Sequence, residues 1–266
     1  MKSLIKGELF RFFKKKSYMF IIIITLLLMV LSSINFKYGH VAFYNIKGSS
    51  NNFNEYIKGD INRLNFSIFM LGELPINLIF IVVPFLAASV LNVEMTEGYL
   101  RMIMVRGCSK IKIILSKIIS IFIFNMVNLL FMGIISYVIS FLLYPHISQF
   151  TIPVINKTLN LYQSILYFIK YLGVYFIVCS FLSSIAVLLN MFMPNSMVSM
   201  FAFWVLMGMA IFKSGFFYNN IFNLRNYTFQ LVNSLNPISS LIDVIVATLI
   251  ISMISCFVFN KMDYKY

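Results

Sequence analysis

Charge is scarce in this chain: 11% of its 266 residues are Asp, Glu, Lys or Arg, while 61% are hydrophobic. A soluble domain carries about 25% charged and about 45–50% apolar residues. A soluble fold of this length has too little interior to hide the surplus, so lipid is the expected solvent for it. Acidic residues are scarcer still, 8 against 21 basic ones, giving a net charge of +13. In a soluble protein that imbalance would suggest nucleic acid. Here the bases sit at the ends of apolar runs, the pattern of membrane topology, so no nucleic-acid partner is expected.

Cysteine and histidine are also few. Cys108, Cys179 and Cys256 form no CxxC pair and two of them lie inside apolar runs, against a disulfide framework or a structural zinc site. His40 and His146 are isolated, and no HExxH sequence exists to bind zinc. There is no GxSxG nucleophile elbow and no GxxxxGK[ST] phosphate loop. Glu94 and Glu97 do not form the adjacent carboxylate pair of an intramembrane protease site. No enzymatic activity and no cofactor are expected of this chain.

What the sequence has is long apolar runs, four of them uncharged and two with a single charge, Lys170 and Asp243. Six segments read as membrane-spanning helices: residues 18–36, 76–92, 118–144, 165–189, 196–212 and 238–259. About 20 residues cover a hydrocarbon core about 30 Å thick, and backbone groups in lipid must pair within their own segment, so these runs predict helices. The expected fold is an all-α transmembrane bundle, a single domain over 1–266 without repeats or linkers. The first span is long and lacks a small-x-small cleavage site, so it reads as an uncleaved anchor. Pro84 predicts a kink in the second span, whose start could extend outward through Glu73. Asn236-Pro237 reads as the cap and first residue of the last helix. Residues 37–65, 145–163 and 213–236 read as loops, the first with room for a short helix.

Before the first span, residues 1–16 predict an amphipathic helix in the headgroup region, or simply a positive flank. Ile5, Leu9, Phe12 and Phe13 share one face, with Lys6, Glu8, Arg11, Lys14 and Lys15 mostly on the other.

An even number of spans puts both termini on one side. That side collects Lys2, Lys6, Arg11, Lys14, Lys15, Lys16, Arg101, Arg106, Lys110, Lys112, Lys117, Lys261 and Lys265, thirteen bases, against seven on the other. The bias predicts cytoplasmic termini. Richness in Ile, Asn, Lys and Phe points to an AT-rich bacterial genome, hence a bacterial plasma membrane. The sequons beginning at Asn65, Asn156 and Asn226 read as chance in so Asn-rich a chain.

The most informative stretch is Glu94-Met95-Thr96-Glu97-Gly98-Tyr99-Leu100-Arg101, running on to Arg106-Gly107-Cys108-Ser109-Lys110 and Lys117. Glu97 and Arg101 are spaced for an i,i+4 ion pair. Gly107 can end a short helix and Ser109 can cap the next. The spacing predicts a stubby cytoplasmic helix over Glu94–Arg106, rigidly joined to the third span, of a kind that can seat in a groove of a soluble partner. An ordinary positive-inside loop would also carry these charges.

In these residues the chain resembles the type-2 ABC exporter permeases. That family has an acidic residue after the second span, a Gly-Thr-Leu-Arg-like step, a Gly- or Ser-rich turn with a base, and a Lys entering the third span. Glu94, Glu97, Gly98, Leu100, Arg101, Gly107, Lys110 and Lys117 occupy those places, with Tyr99 where the family has Thr. The overall layout is similar too. The resemblance implies a separate cytoplasmic ATP-binding-cassette ATPase gripping the short helix, and a second permease half, identical or related. Its small members serve peptide-antibiotic, lantibiotic or bacteriocin export and immunity, and fold analogy is weak for substrate. A secondary transporter or channel would need ion-coordinating groups near mid-membrane, of which there are few. A non-transport membrane assembly factor would need only the helices.

Glu73, Lys170 and Asp243 lie toward the outer ends of their helices. They read either as anchors reaching headgroups or as the lining of an exit path for polar cargo. Asn125 and Asn128, three apart on the third span, read as helix-packing contacts or as a substrate site.

Overall fold

The computed structural model describes residues 1–14, 16–38, 62–73, 81–96, 98–105, 107–144, 149–152, 157–193, 195–213 and 239–261. Their elements, in chain order, are α1 (Lys2–Lys14), α2 (Lys16–Tyr38), α3 (Phe66–Glu73), α4 (Val83–Thr96), α5 (Tyr99–Val105) and α6 (Lys110–Leu143). There follow β1 (Gln149–Ile152), β2 (Lys157–Asn160), α7 (Leu161–Phe192), α8 (Ser196–Lys213) and α9 (Ser239–Lys261). The chain is an α-helical membrane protein. Among the described residues three helices, Lys110–Leu143, Leu161–Phe192 and Leu241–Lys261, are long and apolar enough to cross a bilayer, and a fourth is added if α1 and α2, bent by 60°, form one span. Ser196–Met209 is a shorter apolar helix.

The longest helices turn apolar side chains outward and mix small polar residues into their buried faces. The exposed face of α6 carries Ile134, Val138, Phe141 and Leu142, whereas its buried face carries Ser116, Ser120, Asn125, Asn128, Gly133, Ser136 and Ser140. Each serine hydroxyl on that face donates to a carbonyl of its own helix three or four residues back, such as Ser116 to Ile113 and Ser136 to Gly133. Ser180, Ser183 and Ser184 of α7 do the same. A hydroxyl satisfied within its own turn can be buried away from water, and its small volume lets helices approach closely. α7 is the hub, packing against α9, α4, α6 and α8.

Two groups of contacts define the ends of the bundle. At one end the start of α6 meets α1 and the C-terminal turn of α4, and Lys110 Nζ donates to the Asn260 carbonyl at the end of α9. At the other, the turn 62–65 joins the C-terminus of α6 to the start of α7: Arg63 donates to the Phe141 carbonyl and Ser164 to the Leu64 carbonyl. The Asn62 side chain accepts from the Leu64 and Asn65 N–H groups and Asn65 accepts from the Asn62 N–H, so the two asparagines fold this turn and start α3. Asn65 is thereby fully buried, which removes it as a sugar acceptor.

Several sequence expectations are amended. α1 does not present all its charges to headgroups: Glu8 and Phe12 are buried, and the helix packs on α6 and α2. Pro84 is the second residue of α4, preceded by a wide π-type turn at Ile81–Val82. Residues 74–80, which the expected kink also involves, lie outside the described residues. Glu73 ends a separate helix, α3, rather than beginning α4. Part of the expected loop 145–163 is an antiparallel hairpin, Gln149 opposite Asn160 and Ile152 opposite Lys157. Asn160 then caps α7 in a capping box with Gln163. The Asn236-Pro237 cap lies outside the described residues.

Candidate functional site

At the basic end of the bundle four ionisable side chains close into a ring. α1 supplies Glu8 and Arg11, one helical turn apart on the same face. α4 supplies Glu94, and α6 supplies Lys117. Arg11 binds Glu8 through Nη2 at 2.8 Å and Glu94 through Nη1 at 2.9 Å. Lys117 Nζ binds Glu8 at 3.2 Å, pairs closely with Glu94, and donates to the Val90 carbonyl at 3.1 Å. Its three donors thus meet three acceptors. Each charge touches two of opposite sign, and the ring is neutral.

Lys117 is fully buried and Glu8 and Glu94 are 4% exposed. Charges this deep are tolerable only when paired and fully hydrogen-bonded. The surroundings keep water out: Phe12 stacks on Phe124 at 5.2 Å and meets the Tyr18 ring edge-on at 4.6 Å. The Tyr18 hydroxyl bonds Ser89 Oγ on α4 at 2.9 Å. No space large enough for a water is left among Glu8, Arg11, Phe12, Tyr18, Val90 and Glu94. The arrangement clamps α1, α4 and α6 into one unit. Lys117 lies seven residues into a 34-residue helix about 51 Å long. That length exceeds the roughly 30 Å hydrocarbon core, so the ring can sit near the membrane surface.

Beside this clamp the chain makes a short cross helix, α5. Two glycines bound it, Gly98 at φ +71° and Gly107 at φ +81°, left-handed conformations that glycine adopts without penalty. Leu100 is buried and anchors α5, while Met102 is 57% and Val105 82% exposed. An exposed apolar pair on a seven-residue helix, fixed at both ends, is suited to receiving another protein surface.

The predicted site residues separate accordingly. Glu94 does not begin the stubby helix; it lies within α4, buried in the ring. The stubby helix is Tyr99–Val105, and the break at Gly107 with the turn through Cys108 and Ser109 interrupts its expected continuity with α6. Ser109 occupies the N-cap position of α6 without a side-chain cap bond. Tyr99 and Arg101 lie on α5, whereas Glu97 and Arg106, and with Glu97 the expected pair to Arg101, lie outside the described residues. Lys170 on α7 and Asp243 on α9 are both exposed on the bundle surface. Asn125 Nδ2 donates to Ser183 Oγ at 2.7 Å and so joins α6 to α7. Asn128 is buried, its amide unpartnered among the described residues. Among the described residues no hydrogen bond or ion pair joins Lys170 or Asp243 to either asparagine.

Glu8 and Arg11 were missed because a helical wheel places them with the exposed lysines. One signal was available: Glu8 is the sole acid in the first 54 residues and sits among six bases.

Neither the curated proteins nor the solved structures contain a match to the chain. Residues 18–265 match the family described as "Protein of unknown function (DUF2705)", a range that includes α4, α5 and α6, and the chain belongs to that family.

Proposed function

We propose that the chain is the membrane-spanning permease subunit of an ABC transporter, driven by a separate ATP-binding-cassette ATPase and working with a second permease half. The supporting observation is that α5, with Met102 and Val105 exposed between two left-handed glycines, follows directly on α4, whose end is held in the buried ring. A motor pressing on α5 would move the ends of α4, α6 and α1 together, since separating them would expose unpaired buried charges. The spans would then tilt as rigid rods and expel a peptide, antibiotic or other amphipathic cargo by alternating access. The resemblance at Glu94–Lys117 to type-2 exporter permeases supports the same reading. The ring lies where the chain's bases concentrate and toward one end of α6, a position suited to force transfer rather than to carrying a coupling ion across mid-membrane.

The test is co-purification of the tagged chain with the ATP-binding-cassette protein encoded nearest to it. Retention of that ATPase, and hydrolysis stimulated by the permease, are the expected results. An ATPase that neither binds nor responds would remove the proposal.

The same reading has six spans with both termini cytoplasmic. Cys108, half-buried in the turn before α6, is expected to react with a membrane-impermeant maleimide in inside-out vesicles and not in intact cells. Cys179, buried in α7, is expected to react in neither. Labelling of Cys108 from outside would invert the topology.

A further inference from the structure

At the end of the bundle opposite the ring, an open groove of about 540 Å³ runs between α6 and α7. Gly133, Ile134, Phe141 and Ile169 are among its lining residues, and its walls are apolar apart from Tyr137. Ile134 and Ile169 are more than half exposed. The α6 side runs from Leu130 to Leu142, about 18 Å at about 1.5 Å per residue. One leaflet of a hydrocarbon core is about 15 Å deep. The groove is about as long as one leaflet is deep, and it reaches the last turn of α6.

A cation waits at that end. The Arg63 guanidinium lies over the Phe141 ring at 4.5 Å and donates through Nη2 to the Phe141 carbonyl at 3.0 Å. That carbonyl belongs to the last turn of α6, where helical partners run out. Arg63 Nε is buried and closed to a headgroup, so the exposed Nη edge is the part open to an anion, and no carboxylate among the described residues pairs with the guanidinium. A guanidinium with spare donors matches the geometry of a phosphate.

We propose that this groove holds one anionic phospholipid, an acyl chain lying between α6 and α7 and its phosphate bound by Arg63. The inference depends on α6 and α7 lying in a bilayer, not on the transporter reading. The apolar wall supplies affinity for any acyl chain, and Arg63 supplies the preference for a negative headgroup.

The experiment is lipid titration of the full-length chain in mild detergent, followed by native mass spectrometry, with phosphatidylglycerol and phosphatidylcholine as probes. The wild type is expected to bind one phosphatidylglycerol per chain about tenfold more tightly than phosphatidylcholine, as one charge-assisted contact would give. Arg63→Gln is expected to erase that difference while leaving apolar binding. Ile134→Trp, which fills the groove, is expected to weaken both lipids. If Arg63→Gln does not fold, Arg63→Lys reports instead, with a preference reduced but not lost. Equal affinity of the wild type for the two lipids overturns the proposal, as does a preference that survives Arg63→Gln. A chain–chain dimer that Ile134→Trp separates does the same, since it would give the groove to a second copy.

Discussion

Lys117→Met is expected to destabilise the protein more than any other single change in the bundle. The substitution removes the ammonium that touches Glu8, Glu94 and the Val90 carbonyl, and leaves two buried carboxylates sharing Arg11. Breaking a buried ion pair from one side costs about 3–5 kcal/mol, because the orphaned charge stays out of water. Arg11 is about a quarter exposed and can swing toward solvent, whereas Lys117 has no such route. Arg11→Met should therefore cost less than Lys117→Met. The measurement is thermal or denaturant unfolding in detergent, with Lys117→Met, Glu8→Gln and the double variant compared in a cycle. The double variant should recover much of the loss, since the neutral amide that replaces the Glu8 carboxylate removes the uncompensated charge. A Lys117→Met protein as stable as the wild type, or a cycle with no coupling, would mean that the ring does not hold the helices.

The ring also shows where sequence reading reaches its limit. Each long apolar run could be assigned a helix because helix formation in lipid is a local requirement, met by backbone bonds four residues apart. Gly133 and Ser183 lie on packed faces of α6 and α7, where small residues let helices approach closely. The pairing of Glu94 with Arg11 and of Lys117 with Glu8 spans 83 and 109 residues, and no periodicity encodes a contact at that distance. Local pattern pointed the other way. Glu94 precedes a glycine and several bases, so it reads as the start of a cytoplasmic helix, while packing made it the end of α4. Glu8, Lys6 and Lys14 are all polar positions on a basic helix, and only the arrival of α6 separates the buried Glu8 from the exposed lysines. The hairpin Gln149–Ile152 with Lys157–Asn160 escaped notice for a different reason, since four-residue strands give too few alternations to stand out from an irregular loop.

Gly107 was legible as a break, whereas the helix expected over Glu94–Arg106 runs straight through Gly98; the left-handed conformation of both glycines supplies the physical cause. They set α5 apart from α4 and α6, and its exposed apolar pair is where the second large effect is expected. Met102→Asp combined with Val105→Asp is expected to abolish coupling to the motor while leaving the permease folded. Both side chains are exposed and touch little of the bundle, so surface substitution there should change stability by no more than about 0.5 kcal/mol. In an interface the same two side chains would be buried against the ATPase, and burying an unpaired carboxylate is expensive. Loss of one central apolar contact typically weakens a complex by about 2 kcal/mol or more, some 30-fold, and the added charge increases that. The expected result is a normal unfolding midpoint, loss of ATPase co-purification, and hydrolysis by the ATPase that no longer responds to the permease. Leu100→Asp is the contrasting variant: Leu100 is buried, so it should lower the unfolding midpoint as well as weaken binding. A double aspartate variant that still stimulates its ATPase would leave α5 as a turn between two helices and the ring as a purely structural clamp. Stimulation lost together with the fold would instead show that Met102 and Val105 are buried within the permease assembly, and the motor would have to grip the chain elsewhere.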